Sequence, residues 1–180
     1  MKNIIIQGSS RIDGNTSQIA KILSDCLGAE IIHLKELTIN SYSYRHENLD
    51  DDFLPIIRRI VNCDTVIFIT PVYWYSMSGI MKNFFDRITD CLKIEKDTGR
   101  RLRGKNMVAV SCGSDEIETD GFFVPFKNSA EYLGMNYLGD IHTWIEIDKP
   151  GKDIIDKIKE FANEINNKPA YNRVDGSARN

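Results

Sequence analysis

The sequence lacks the features that mark a membrane, secreted or nucleic-acid-binding protein. None of its apolar runs approaches the roughly 18 residues that suggest a membrane-spanning helix. The start of the chain, with one lysine before three isoleucines, does not resemble a signal peptide. The formal net charge of -3 gives no basic excess of the kind that binds nucleic acid. We therefore expect a globular protein whose partners include neither a membrane nor a nucleic acid.

Cysteine is scarce as well. The 180 residues contain 4 cysteines, at wide and uneven spacing: Cys26, Cys63, Cys91 and Cys112. No Cys-x-x-Cys pair is present, and no grouping of cysteine and histidine has the spacing of zinc ligands. We predict reduced, mostly buried thiols, no structural metal and a cytoplasmic location.

What the sequence does contain is a regular alternation of apolar runs and amphipathic helical patterns. Strands are predicted at residues 3–7, 30–34, 65–70, 106–112 and within 136–147. Helical stripes begin near Thr16, Phe53, Ile80 and Ile154, with a weaker one at 121–133. Three of the strand runs are almost entirely apolar, which is typical of parallel strands covered on both faces.

Five strands alternating with five helices predict a doubly wound parallel sheet in a three-layer α/β sandwich. The domain is expected at residues 1–167, and a polar tail without periodicity at 168–180. Two arrangements are open, a Rossmann sheet and the flavodoxin-like order 2-1-3-4-5. The single set of five strands favours the second. In that order, the loops after strands 1 and 3 meet at the carboxyl edge of the sheet.

The first of these loops reads GSSRIDGNTS, residues 8–17. It has neither the glycine spacing of a dinucleotide fingerprint nor the Gly-Lys-Ser/Thr of a phosphate-binding P-loop. It does offer hydroxyls, an amide, a guanidinium and free N–H groups at a helix start, which suit a terminal phosphate. The alternative is a polar turn in which Asn15 or Thr16 caps the helix.

The second loop reads TPVYWYSMSG, residues 70–79. Its consecutive aromatics, Tyr73, Trp74 and Tyr75, cannot all be buried on one face of a strand or helix. They suit a flat ring system, or else a subunit interface. A third loop, residues 111–114, follows the fourth predicted strand and borders the same crevice. A phosphate at one end and a flat ring at the other describe a mononucleotide, with FMN as the leading candidate.

These motifs resemble those of the flavodoxin-like NAD(P)H-dependent FMN reductases and related flavoprotein oxidoreductases. The matching segments are GSSRxxGNTS, PVYWYSMSG and KNFFDR, with Gly-Lys before the fourth strand and Ser-Cys-Gly at its end. The resemblance implies that the FMN phosphate is bound by Ser9, Arg11, Asn15, Thr16 and Ser17. It implies that the ring is bound by Pro71, Val72, Tyr73 and Trp74, and at its other edge by Ser111, Cys112, Gly113 and Ser114.

The resemblance also implies an activity. Hydride would pass from NADH or NADPH to FMN and then to a small acceptor such as a quinone, a flavin, or a nitro or azo compound. The flavin does this chemistry, so we assign no catalytic side chain. Family members are commonly homodimers or larger, so a homodimer or homotetramer is expected. A flavodoxin-like electron carrier, a non-catalytic FMN-binding protein and an oligomeric scaffold stay as alternatives, although carriers are usually more acidic than this chain.

Four other features of the sequence are interpreted mainly as structural rather than as parts of the flavin site. Some relatives carry a cysteine cluster that holds an iron–sulfur centre, but residues 39–46 contain no cysteine, so no such cluster is expected. The tyrosines of that stretch belong to a surface loop or cover the flavin. The basic run at 99–103 is a solvated connection or contacts the extra phosphate of NADPH. Asp86-Arg87 is expected in a helix-end ion pair or an interface contact in preference to a ligand role, and His33 in a structural role.

Overall fold

A parallel sheet with helices on both faces forms the protein in a computed structural model that describes residues 1–168. The strands are β1 (Asn3–Gln7), β2 (Glu30–His33), β3 (Thr65–Tyr73), β4 (Ser76–Met77), β5 (Asn106–Gly113) and β6 (Asn136–Trp144). The helices are α1 (Asn15–Leu27), α2 (Phe53–Ile60), α3 (Gly79–Lys93), α4 (Lys96–Arg100), α5 (Val124–Leu133) and α6 (Lys152–Asn167), and a 3-10 turn covers Leu34–Glu36.

The five parallel strands lie in the order β2-β1-β3-β5-β6, and β4 pairs with β3 in an antiparallel hairpin. Counted along the parallel strands alone, this is the predicted order 2-1-3-4-5, so the flavodoxin-like fold is confirmed. Three short elements were not predicted, namely β4, α4 and the 3-10 turn of three residues. The strand β4 has two residues and α4 has five, and neither length gives hydrophobic periodicity enough positions to show.

Strand alternation divides the core into two layers. In β1, the side chains of Ile4 and Ile6 pack into the layer under α2, α3 and α5, while Ile5 packs into the layer under α1 and α6. Because successive side chains of a strand point to opposite faces, a strand buried on both faces must be apolar throughout. This explains the continuous apolar runs. The predicted tail at 168–180 lies almost wholly outside the described residues.

The loops after β1 and β3 are joined through the backbone of Gly8. The Gly8 N–H donates to the carbonyl of Ile69 at 2.9 Å, and the Ser78 hydroxyl donates to the carbonyl of Gly8. The same hydroxyl accepts from the Met81 N–H at 3.1 Å and so caps α3. A Cβ on Gly8 would lie 2.8 Å from the Cβ of Met81, so only glycine allows this approach.

A buried ion cluster fixes the long segment between the 3-10 turn and α2 to helix α3. The guanidinium of Arg87, fully buried, forms a two-pronged ion pair with Asp51, and its Nε donates to Asp90 at 2.7 Å. It also donates to the carbonyls of Asn40 and Asn48, at 2.9 and 2.6 Å. Arg87 is therefore an internal anchor, and the interface contact considered from the sequence is wrong.

The basic run at 99–103 lies at the amino edge of the sheet, opposite the carboxyl-edge loops. The run covers the end of α4 and the turn before β5. Close to it, the Gly104 N–H donates to the carbonyl of Gly134, and the Asn106 N–H donates to the carbonyl of Asp64. Arg100, largely exposed, pairs with Asp97 at 2.6 Å. The structure therefore supports the solvated connection, because the run is separated from the carboxyl-edge loops by the length of a strand. Within residues 1–168, no helix is both long and apolar enough to cross a bilayer.

Candidate functional site

The turn between β1 and α1 presents unpaired backbone donors. The helix begins after Gly14, which has no side chain to cap it. Within residues 1–168, no protein atom accepts a hydrogen bond from the N–H groups of Ser10, Ile12, Asp13, Asn15 and Thr16. Free N–H groups and the positive end of the helix dipole together attract an anion. The alternative of a turn capped by Asn15 or Thr16 is wrong, because both residues lie inside the helix.

Arg11 adds a positive charge to this turn. A Cβ placed on Gly14 would lie 3.1 Å from both Nε and Nη2 of Arg11, so the guanidinium rests against the start of the helix. In the described part of the chain, no carboxylate lies within 4.0 Å of it. An unpaired, exposed arginine beside free N–H groups is suited to a doubly charged phosphate.

Several side chains of the turn hold its shape. Gln7 donates to the hydroxyl of Ser17 at 2.8 Å, and that hydroxyl donates to the carbonyl of Arg11 at 3.4 Å. The amide of Asn15 donates to the carbonyl of Ile145 at 3.2 Å, which ties the helix start to the segment after β6. Asn15 and Ser17 therefore shape the turn, whereas Arg11 and the backbone offer free donors.

The aromatic loop is a two-residue hairpin turn between β3 and β4. Tyr73 pairs with Ser76, and the two residues between them, Trp74 and Tyr75, have φ angles of 48° and 63°. Positive φ at both positions is typical of the hairpin turn that normally takes Asn-Gly, and bulky residues are strained in it. Yet Trp74 is 93% exposed and Tyr75 74% exposed, so burial does not compensate for the strain. Strained residues without a packing role indicate a functional constraint.

The hairpin forms one wall of a cavity at the carboxyl edge of the sheet. The cavity has a volume of about 430 Å³ and its other wall is the loop that follows β5. The lining residues are Val72, Trp74, Tyr75, Gly113, Ser114, Asp115, Ile117, Thr119 and His142. A hydrogen bond of 3.0 Å between the Ser10 and Tyr73 hydroxyls joins this hairpin to the turn between β1 and α1. The volume lies within the range of small-molecule sites.

The predicted site residues on β5 differ in where their side chains lie. Gly113 and Ser114 line the cavity. The hydroxyl of Ser111 is held by His142 at 2.7 Å, and the thiol of Cys112 packs into the layer under α1 and α6. Burial raises the pKa of Cys112 to about 11, so the thiol stays protonated at neutral pH. The Cys112 side chain therefore lies away from the cavity, on the opposite face of the strand.

All the predicted site residues lie in the three segments that the sequence singled out, at the carboxyl-terminal ends of β3 and β5 and in the turn from β1 into the start of α1. Val72, Trp74, Gly113 and Ser114 line the cavity, while Pro71 is buried in the sheet. Sequence reasoning missed several lining residues: Asp115, Ile117, Thr119 and His142. For His142, the available signal was its position near the end of the last strand, whose carboxyl end must reach the same edge.

The tyrosines of the segment after β2 form a separate cluster. Tyr42 packs edge-on against Tyr44 and against His46, with ring centroids 5.2 and 5.7 Å apart. None of the three lines the cavity beside the hairpin. The structure thus supports the interpretation as a surface loop.

The residues present fit FMN. Free N–H groups and Arg11 can bind a phosphate at one end, and an aromatic-walled cavity can take a flat ring at the other. The turn that can bind the phosphate follows β1 and the aromatic hairpin follows β3, and these two strands are adjacent in the sheet. The arrangement therefore matches a mononucleotide that has a charged phosphate at one end and a large planar ring at the other.

Comparisons with known proteins agree with this geometry. The family model for NADPH-dependent FMN reductases matches residues 1–148. YwqN of Bacillus subtilis, named as an NAD(P)H-dependent FMN-containing oxidoreductase, is 31% identical over 149 residues, which cover 77% of this chain and 82% of that protein. The NADPH azoreductase of Bacillus sp. strain OY1-2 is 29% identical over 97 residues, covering 53% of this chain and 54% of that one.

A solved structure described as Trp repressor binding protein from Bacillus subtilis is also similar. It superposes with a TM-score of 0.70 at 26% identity, covering 88% of this chain and 96% of that chain. The sequence motifs, the fold and the family match thus agree along most of the molecule. The protein belongs to the family of NADPH-dependent FMN reductases and is a flavin-dependent oxidoreductase.

Proposed function

We propose that this protein holds FMN across its carboxyl-edge loops and transfers electrons from a reduced nicotinamide to a small planar acceptor. The observation that carries the proposal is the unpaired Arg11, with free N–H groups around it, on the same edge as the aromatic-walled cavity. When bound, FMN supplies the redox chemistry, since it can accept a hydride and pass electrons on. The chain contributes binding, orientation and the exclusion of water from one side of the ring.

The phosphate end is assigned to the turn after β1. Backbone donors of Ser10, Ile12 and Thr16 surround the anion, and the Arg11 guanidinium neutralises it. Ser9, which is buried, accepts from the Arg11 N–H at 3.3 Å and so helps to shape the turn. Ser17 and Asn15 hold the start of α1 in place.

The ring end is assigned to the cavity between the hairpin and the loop after β5. Val72, Trp74 and Tyr75 supply apolar and aromatic surface on one wall, and the Gly113 and Ser114 backbone supplies polar groups on the other. The side chains of Trp74 and Tyr75 are exposed, so this wall also faces solvent. A solvent-exposed aromatic wall is suited to flat acceptors that bind reversibly, namely quinones, free flavins, and nitro or azo compounds. The azoreductase relative supports azo compounds within this class.

The first test is an absorbance measurement. Purified protein incubated with FMN and desalted is expected to keep the flavin band, and anaerobic addition of NADH or NADPH is expected to bleach it. The nicotinamide that bleaches it faster is the preferred one. A band that is kept but not bleached would favour an electron carrier or a non-catalytic FMN-binding protein, and loss of the band would contradict the site assignment.

The phosphate assignment is tested by comparing FMN with riboflavin, which lacks the phosphate. Arg11→Ala is expected to weaken FMN binding by roughly tenfold or more, because a hydrogen bond to a charged group contributes about 1.5–3 kcal/mol. Riboflavin affinity should stay unchanged. The matched control is Arg100→Ala, an exposed arginine at the opposite edge of the sheet, which should alter neither affinity. An equal loss for both ligands would mean that Arg11 does not contact the phosphate.

The same proposal includes a cytoplasmic location and a homodimer or homotetramer. The cytoplasmic location is supported by four cysteines that form no disulfide in the described residues, and cell fractionation tests it. Exposed apolar side chains support the homodimer or homotetramer, because such surface is typical of subunit contacts: Trp74, Tyr75 and Ile117 line the cavity, and Ile147 follows β6. Light scattering of the purified protein measures the number of subunits.

A further inference from the structure

His142 is the one buried histidine at the cavity that no motif of the sequence explains. It lies on β6, is 4% exposed, and its ring forms part of the cavity lining. Both of its ring nitrogens have partners. Nδ1 lies 2.7 Å from the hydroxyl oxygen of Ser111, and Nε2 lies 3.0 Å from the carbonyl oxygen of Asp115.

These partners determine where the proton of the neutral ring resides. A carbonyl oxygen only accepts hydrogen bonds, so Nε2 must carry the proton and donate it to Asp115. Nδ1 is then an acceptor, and the Ser111 hydroxyl donates to it. One tautomer thus satisfies both contacts. The ring thereby links strand β5 to the loop that follows it.

The ring also packs directly against the backbone of this loop. A Cβ on Gly113 would lie 2.9 Å from Cε1 of His142, so glycine at this position allows the imidazole to approach. On the other side, the ring is nearly parallel to Trp144, at an angle of 19° with centroids 6.1 Å apart. Lys157 donates to the carbonyl of His142 at 3.1 Å and lies 5.4 Å from the Trp144 ring centroid. The imidazole is therefore held in one orientation.

We propose that His142 is a positioning residue that holds the backbone of residues 113–115 in the conformation that binds the edge of the FMN ring. The inference rests on the proposed function, since it concerns the same cavity. His142 acts through Asp115: its Nε2 proton holds that carbonyl and with it the peptide plane between Asp115 and Glu116. This limits the movement of the preceding backbone, which carries the N–H groups of Ser114 and Asp115. A preorganised loop binds a ligand more tightly, because its conformational entropy is already lost when the protein folds and is not lost again on binding.

The test separates the two contacts of the ring with two substitutions. In His142→Gln, the side-chain NH2 occupies a place near that of Nε2 and can still donate to Asp115. In His142→Asn, the shorter side chain can accept from Ser111 but cannot reach Asp115. Both variants remove the ring and each keeps one of its two contacts, so the comparison shows whether the Asp115 contact or the Ser111 contact supports FMN binding.

Two quantities are measured for each variant. FMN affinity is obtained by titrating the apoprotein and following flavin fluorescence, and amide hydrogen exchange of residues 113–119 is measured in the apoprotein without FMN. His142→Asn is expected to bind FMN roughly tenfold more weakly, which corresponds to the loss of one hydrogen bond, and to exchange faster in this loop. His142→Gln is expected to restore most of the affinity and the slow exchange.

The outcomes separate this inference from the proposed function. If the wild-type protein does not bind FMN, the proposed function is overturned and the inference falls with it. If the wild type binds FMN while both variants behave alike, the Asp115 contact has no special role and only the inference is overturned. A change in affinity without a change in exchange would also overturn it, because His142 would then act on FMN directly.

Discussion

Replacing Trp74 and Tyr75 by Asn and Gly is expected to stabilise the apoprotein and to weaken FMN binding. The turn holds both residues at positive φ, a conformation that costs bulky side chains about 1 kcal/mol or more each and that Asn-Gly adopts readily. We expect the free energy of unfolding to rise by about 1–2 kcal/mol and Tm by several degrees. Loss of the aromatic wall should weaken FMN binding by roughly tenfold or more, since stacking on one aromatic contributes about 1–3 kcal/mol.

The control is the double substitution of both residues by Ala. It removes the aromatic surface but keeps a Cβ at each positive φ, so FMN affinity should fall without any gain in stability. Stability is measured by thermal or denaturant unfolding of apoprotein, because bound FMN would itself raise Tm. If the Asn-Gly variant gains no stability, the turn is not strained. If it binds FMN as tightly as the wild type, the hairpin is not a wall of the flavin site.

Arg87→Ala is expected to destabilise the protein by about 3–5 kcal/mol, because it leaves the buried carboxylate of Asp51 without its cation and leaves Asp90 with only its contact to the ring of His46. The segment between the 3-10 turn and α2 should then lose its anchor, since Arg87 also binds the carbonyls of Asn40 and Asn48. The matched control is Arg58→Ala, whose exposed pair with Glu95 spans 3.8 Å and should contribute at most about 1 kcal/mol. The measurement is denaturant unfolding at pH 7.

The pH dependence of the free energy of unfolding provides a second, independent test of the same ion cluster. Burial by itself raises the pKa of Asp51, but hydrogen bonds from Arg87 and from the N–H groups of Phe53 and Asn40 outweigh it, so the net pKa is lowered. A carboxyl group whose pKa is lowered by folding adds stability above its unfolded pKa of about 4 and loses it as the pH falls below that value. We expect the wild type to lose stability below about pH 4, and Arg87→Ala to lose less over the same interval. Equal losses would mean that the pair does not lower the pKa of Asp51.

Local sequence patterns predicted the parallel sheet well. The runs at 3–7 and 106–112 became β1 and β5 almost unchanged, because a strand buried on both faces needs an unbroken apolar sequence. The run at 65–70 was too short by three residues, since the polar and aromatic end of β3 does not resemble a buried strand. The hairpin had no usable signal, because Trp-Tyr is an unusual sequence for a turn with positive φ.

The loops of the candidate site were predictable, but the orientations of its side chains were not. Once strands 1 and 3 are neighbours, the turns after them must meet, and the sequence shows which polar and aromatic residues those turns contain. The sequence could not show that Cys112 points into the core while Gly113 and Ser114 line the cavity. That depends on which face of β5 each residue occupies at the end of the strand.

By itself, the sequence determined the order of strands and helices, the edge at which the loops meet and the family to which the motifs point. These follow from periodicity and spacing, which act between neighbours in the chain. Only the tertiary structure decided that Arg87 is buried against Asp51, 36 residues away, and that His142 holds Asp115, 27 residues away. Such contacts depend on how distant segments pack, because the same histidine or arginine would be exposed to solvent if its partner segment lay elsewhere.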